Sequence, residues 1–416
     1  MRSETMRQRV ILGTKLFETV ARGVFVLSCT YRLPLVDAGQ FGLGVTLIGL
    51  AAFLLGYERQ IDVQRAVAGH EAAVIRQRLS DTLRFFAAHF TWLLPLLALT
   101  LWQGFGWNPI QVGLAVVIIV SEHVSNQSYQ ATLVSPRNYP LQAVAALRHG
   151  VLATGALLLT VIDPGNFTID RILWWWASVS LLSLPLASWV WLVRLRLREG
   201  PGAPAGHGTP PRQGIGQQYR ASRLHFMVGV VAVAALQADR VVVGAALEPG
   251  DIGIYFRNVM LAGLALQVFS IVSFGRVAPT VYAMARNQDM DGVRRRVLRE
   301  YAGFALATLV LMGLALTANT LLGYPASQLG VSGVFLSVLM LGVLLRAAAD
   351  YTGLLLLAGG ADRAVFRNQL MAVLVGVALL MLLAYRFGLP GAIAGALPTS
   401  LAYLGLNSLA LRKRAT

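Results

Sequence analysis

Twelve apolar runs take up most of this chain, near 11–31, 38–57, 85–103, 109–129, 141–162, 172–193, 224–246, 252–275, 301–322, 331–357, 365–385 and 389–411. Each is close to the roughly 20 residues a helix needs to cross a hydrocarbon core. The expected fold is therefore an all-α polytopic membrane protein with about twelve transmembrane helices. Charge content agrees. Only 13% of the 416 residues are charged and 56% are hydrophobic, whereas a soluble domain carries about 25% charged residues. A large core cannot explain the deficit, because a water-facing surface still needs charge and a lipid-facing one does not.

The remaining charges alternate. Of 35 Lys and Arg residues, 28 lie at the N-terminus, in every second gap and in the C-terminal tail. They are Arg2, Arg7, Arg9 and Lys15; Arg59 to Arg84; Arg137 and Arg148; Arg194 to Arg223; Arg276 to Arg299; Arg363 and Arg367; and Arg412 to Arg414. The alternate gaps hold only Arg32, Arg171 and Arg386, while Arg22, Arg240, Arg257 and Arg346 fall inside runs. The positive-inside rule then puts both termini in the cytoplasm, with an even number of spans. A net charge of +16 does not imply nucleic acid, which would gather the basic residues on one surface. The first run follows basic residues as a signal peptide does. Glu18 and Arg22 interrupt it, and no small-residue cleavage site follows, so it reads as the first span.

Cys29 is the only cysteine. No intrachain disulfide or Cys-based metal site is available, and Glu122 beside His123 offers too few ligands for a metal. Neither metal nor cofactor is expected.

The longest gap contains a Pro/Gly-rich segment, 201–211, near the midpoint. It reads as a flexible linker. The predicted organisation is a six-helix bundle over 1–197, a cytoplasmic linker over 198–223 and a second six-helix bundle over 224–416. The Arg-rich stretch 58–84 reads as a cytoplasmic helical extension. A short repeat supports the division. Leu35 to Leu43 aligns with Ala246 to Ile254 at a shift of 211, so that Asp37 meets Glu248, Gly39 meets Gly250 and Gly42 meets Gly253. Both segments lie at an outer turn entering an even-numbered span. Two halves of six spans with the same orientation imply parallel repeats, related by a pseudo-twofold axis along the membrane normal.

The stretch Leu236-Gln-Ala-Asp-Arg-Val-Val-Val-Gly244 followed by Gly253-Ile-Tyr255 resembles the seventh-to-eighth span region of Wzx-type polysaccharide flippases. These belong to the multidrug/oligosaccharidyl-lipid/polysaccharide exporter superfamily. The outer turns Asp37-Ala-Gly-Gln-Phe-Gly42 and Phe387-Gly-Leu-Pro-Gly-Ala-Ile-Ala-Gly395 are similar to that family's as well. The resemblance implies two bundles around a central cavity, alternating access, and export of polyprenyl-pyrophosphate-linked oligosaccharide across the bacterial inner membrane. Membrane lipids and other polysaccharide-assembly proteins are the implied partners. A cation-coupled multidrug exporter of the same fold is the alternative. A membrane polymerase, ligase or acyltransferase is disfavoured by the short outer gaps, 101–109 and 322–331.

Ionisable groups inside spans cost roughly 2.5–3.5 kcal/mol each at mid-membrane on insertion scales, which makes them the candidate site residues. Lys15, Glu18, Thr19 and Arg22 share one helical face. Arg22 is expected either to hold an anionic headgroup or to pair with Glu18. Glu122, with His123 to tune it, is a candidate for ion coupling or charge pairing. Arg346 and Asp350, at i and i+4, can neutralise each other. Arg257 has no acid near it on its own helix and is the stronger anion ligand, unless Asp239 meets it. Asp239 and Arg240 are read as a structural charge pair. Arg22, Arg257 and Arg346 are thus the expected headgroup ligands, since guanidinium binds two phosphate oxygens at once. Trp174-Trp-Trp176 is expected at the outer interface, where tryptophan belts form.

Overall fold

The computed structural model describes residues 2–59, 63, 72–131, 139–194, 214–272, 277–321 and 332–415. It is helical throughout these segments. The helices are α1 (Arg2–Arg32), α2 (Leu35–Gly56), α3 (Ala72–Leu99), α4 (Pro109–Ala131), α5 (Tyr139–Ile162), α6 (Ile169–Arg194), α7 (Ile215–Ala246), α8 (Pro249–Val272), α9 (Ala278–Arg286), α10 (Met290–Leu321), α11 (Gly333–Ala358), α12 (Asp362–Ala394) and α13 (Leu397–Ala415). All but the short α9 correspond to the twelve apolar runs. Nine of them qualify as candidate spans by length and composition among the described residues. The polar face of α1, with Lys15, Glu18 and Arg22, dilutes its apolar character.

Several breaks are local. Pro95 lies inside α3, where it removes a ladder hydrogen bond, and the helix ends in a π-turn at Thr100–Gly104. α12 turns sharply at Gly388, whose φ of 60° and ψ of −140° suit a residue without Cβ. Beyond it, Gly391 and Gly395 approach Leu383 and Leu380 so closely that a Cβ would overlap them. The chain therefore doubles back at the expected outer turn. The returning span is then broken once more, between Ala394 and Leu397, before α13 begins.

Two compact units result. The first takes Met1–Phe25 and Gly44–Val230, the second Val26–Leu43 and Val231–Thr416. A single cut in the linker was expected; instead each half lends a segment to the other unit. The reasons are specific contacts. Within the second unit, a Cβ on Gly39 would come within 3.0 Å of Gly253 N, and one on Gly253 would overlap the Leu35 backbone. The two turns matched by the repeat thus pack against one another. Within the first unit, Phe226 of α7 stacks on Phe53 and Tyr57, with ring centroids 5.6 and 4.1 Å apart. Tyr219 meets Tyr57 edge-on at 5.0 Å. Residues 198–213 of the expected linker and 60–62 and 64–71 of the expected cytoplasmic extension lie outside the described residues. The rest of the linker, 214–223, is the start of α7.

Candidate functional site

Four helices of the first unit converge around Glu122 of α4, three with ionisable side chains and α6 with Trp176. The Trp176 indole of α6 donates to Glu122 Oε1 at 2.5 Å. Phe25 of α1 meets the Trp176 ring edge-on at 5.3 Å. Arg148 and His149 of α5 and Arg22 of α1 all act electrostatically on the carboxylate. Arg148 is 6% exposed, and its Nε and Nη1 are buried without hydrogen-bond partners. His149 Nδ1 lies 2.9 Å from the Ala145 carbonyl oxygen. A carbonyl only accepts, so Nδ1 carries the hydrogen and Nε2 is the nitrogen able to accept or gain a proton. The cluster holds two guanidiniums and an imidazole around one carboxylate.

The expected residues divide. Arg22 lies near enough to Glu122 to act on it electrostatically. Glu18 pairs with Lys15, one turn earlier, at 2.9 Å, and not with Arg22. His123 does not tune Glu122. Consecutive residues on a helix point about 100° apart, and His123 Nδ1 faces the Ala52 carbonyl of α2 at 3.1 Å, between Phe86 and Phe90. Arg148 and His149 were missed. Arg148 was counted with the gap charges, yet it sits in the third turn of α5. Trp176 was assigned to an interfacial belt. Trp174 alone fits that place, at 57% exposed; Trp176 is 3% exposed, and the Trp175 indole donates to Leu152 O at 3.3 Å. A helical wheel of the whole chain could have placed Arg148 and Trp176 near the Glu122 level; their convergence needs the packing.

In the second unit Arg257 is corrected. Its Nε donates to Thr30 O at 3.1 Å and its Nη2 to Leu33 O at 2.6 Å, with Tyr31 O at 3.4 Å. It is 3% exposed. These are carbonyls at the end of α1, which a helix leaves without partners. The guanidinium therefore caps α1, and its fork is not presented to an anion. Asp239 accepts from the Tyr255 hydroxyl at 2.6 Å rather than pairing with Arg240. The expected Asp239–Arg240 pair does not form. Arg346 and Asp350 pair as expected, Nε to both carboxylate oxygens at 3.2 Å, and Arg346 lies over the Tyr403 ring at 5.5 Å. Arg346 and Arg240 line one cavity of about 120 Å³ among α7, α8, α11, α12 and α13. Among the described residues no three His, Cys, Asp or Glu side chains are grouped to hold a metal ion.

No protein-family model matches the chain, and no curated protein sequence matches it. Solved structures do. An inward-facing multidrug resistance MATE family transporter of the MOP superfamily is 13% identical, with a TM-score of 0.68 over 98% of each chain. An outward-facing transporter of the same description gives 13% and 0.60, over 98% of this chain and 96% of that one. A eukaryotic MATE transporter gives 12% and 0.60, over 99% and 96%. At such identities the likeness is one of architecture, and the chain has the fold of the MATE transporters.

Proposed function

We propose that the chain is a transporter that moves polyprenyl-pyrophosphate-linked oligosaccharide repeat units across the bacterial inner membrane by alternating access, for surface polysaccharide. The observation that carries this reading is the excess of cationic groups around Glu122. An exporter of organic cations needs the opposite balance at its binding groups. A pyrophosphate brings several acceptor oxygens and negative charge, which Arg22 and Arg148 are suited to hold through forked hydrogen bonds. The polyprenyl tail remains in lipid while the headgroup crosses. The shared MATE fold supports a transporter over an enzyme. It equally favours a second reading, a multidrug exporter coupled to cations through Glu122, because the solved relatives named above are described as multidrug resistance transporters.

Reconstituted proteoliposomes separate the two. The protein should translocate a fluorescent polyprenyl-pyrophosphate oligosaccharide, and Arg22→Ala and Arg148→Ala should each slow it by about tenfold or more. Arg148→Lys should retain part of the rate, since it keeps the charge and loses the fork. Uptake of a planar organic cation with no movement of the lipid-linked sugar would select the exporter and overturn the flippase.

A further inference from the structure

The cavity inside the second unit is not accounted for by packing. Asp239, Arg240, Gly263, Arg346, Thr399 and Ser400 contribute to its otherwise apolar wall. Arg240 Nε is buried there without a hydrogen-bond partner. Asp239 does not answer it: neighbours on a helix diverge, and the carboxylate is turned to Tyr255. A buried charged donor left unmet is costly, and an unexplained one points to an absent acceptor. Arg346 engages Asp350 through Nε, which leaves its terminal amino groups for another acceptor. Gly263 stands opposite Arg240, where an added Cβ would lie 3.7 Å from Nη2, an ordinary van der Waals contact.

The fifth wall is the break in the last span. Gly395 and Ala396 line the cavity, and α13 starts at Leu397, so Thr399 and Ser400 sit in its first turn. Within a membrane, interrupted helices are tolerated where they are buried in protein or line a cavity. The N-terminal end of such a half-helix carries partial positive charge. Asp239 in the wall and Asp350 beside Arg346 offset part of the positive charge, but the unmet Arg240 Nε, the two hydroxyls and this helix end call for an acceptor-rich anion. A carboxylate has two oxygens and would leave donors unmet; a phosphate group has enough. A cavity of about 120 Å³ equals the volume of a few waters. That leaves room for a phosphate group.

We infer that this cavity is a phosphate site, with Arg240 as its principal ligand and Arg346, Thr399 and Ser400 as supporting ones. The phosphate belongs either to a lipid-linked headgroup or to a free anion; only the former source rests on the function proposed above.

The test uses the purified full chain in nanodiscs, with isothermal titration by inorganic pyrophosphate and, separately, by a short-chain polyprenyl pyrophosphate. Chloride at equal ionic strength is the blank. Arg240→Gln should weaken binding at least tenfold and Thr399→Val about threefold, while Arg171→Gln in an outer turn should bind as wild type. Equal affinity for both probes identifies a free-anion site; binding of the lipid probe alone identifies a headgroup site. If Arg240→Gln does not fold, Thr399→Val carries the test. Wild-type affinity in a folded Arg240→Gln, absence of binding to either probe, or binding of sodium that Asp239→Asn alone removes would each overturn the site. Translocation of the lipid-linked sugar by wild type, measured in parallel, keeps the two proposals separate. Transport with an intact Arg240→Gln affinity sinks the site alone, and Arg240-dependent binding without transport sinks the function alone.

Discussion

The guanidinium of Arg257 answers carbonyls of Thr30, Tyr31 and Leu33 at the end of α1. Arg257→Ala removes a charged donor from a buried place and leaves carbonyls there unmet. Such a loss costs about 2–3 kcal/mol, so the variant should show a lower Tm in detergent and a lower level in the membrane. Any fall in transport should match the fall in protein. A variant of wild-type stability that no longer transports would instead restore Arg257 as an anion ligand. Sequence could not separate these roles. It shows that no acid lies near Arg257 on its own helix, but the carbonyls it meets are more than 220 positions away. Arg22, Glu122 and the Arg346–Asp350 pair were legible, the last because i and i+4 face each other. Arg148 and His149 were not, because a charge near the end of an apolar run looks like part of the adjoining gap.

At the scale of helices, the apolar runs located the twelve long helices, nine of which qualify as candidate spans among the described residues, since length and hydropathy are local properties. The trading of segments between the units was not local. It depends on close approach at Gly39 and Gly253, where side chains are absent and nothing in hydropathy records the contact. A paired substitution tests that contact. Gly253→Ala would drive a Cβ into the Leu35 backbone, which cannot yield as a flexible side chain does. Overpacking of this kind costs about 1–3 kcal/mol. Gly113, exposed in α4, has nothing within 4 Å of an added Cβ. There the substitution only restricts the unfolded chain and improves helix propensity, by about 0.5–1 kcal/mol in the stabilising direction. Thermal unfolding should therefore move in opposite directions for the two variants. A Gly253→Ala protein as stable as wild type would mean that the turns do not pack as closely as described.

For the whole molecule, the placement of 28 of its 35 basic side chains in alternate gaps predicts an orientation for every helix. The bias is far larger than the three residues opposing it, and short basic loops are held on the cytoplasmic face. The orientation can be read with little disturbance, because Cys29, the only cysteine, is fully buried. Wild-type protein should thus stay dark with a membrane-impermeant maleimide. Asn166 lies in the turn between α5 and α6, and Asn287 in the turn between α9 and α10; both are exposed. Asn166→Cys should label in intact spheroplasts, and Asn287→Cys only after the membrane is permeabilised. Each variant checks the other, since the two positions lie an odd number of spans apart. The reverse pattern would invert the chain and place the basic gaps outside. Labelling of both in intact cells would mean that an odd number of the intervening helices fails to cross, which would break the count of twelve.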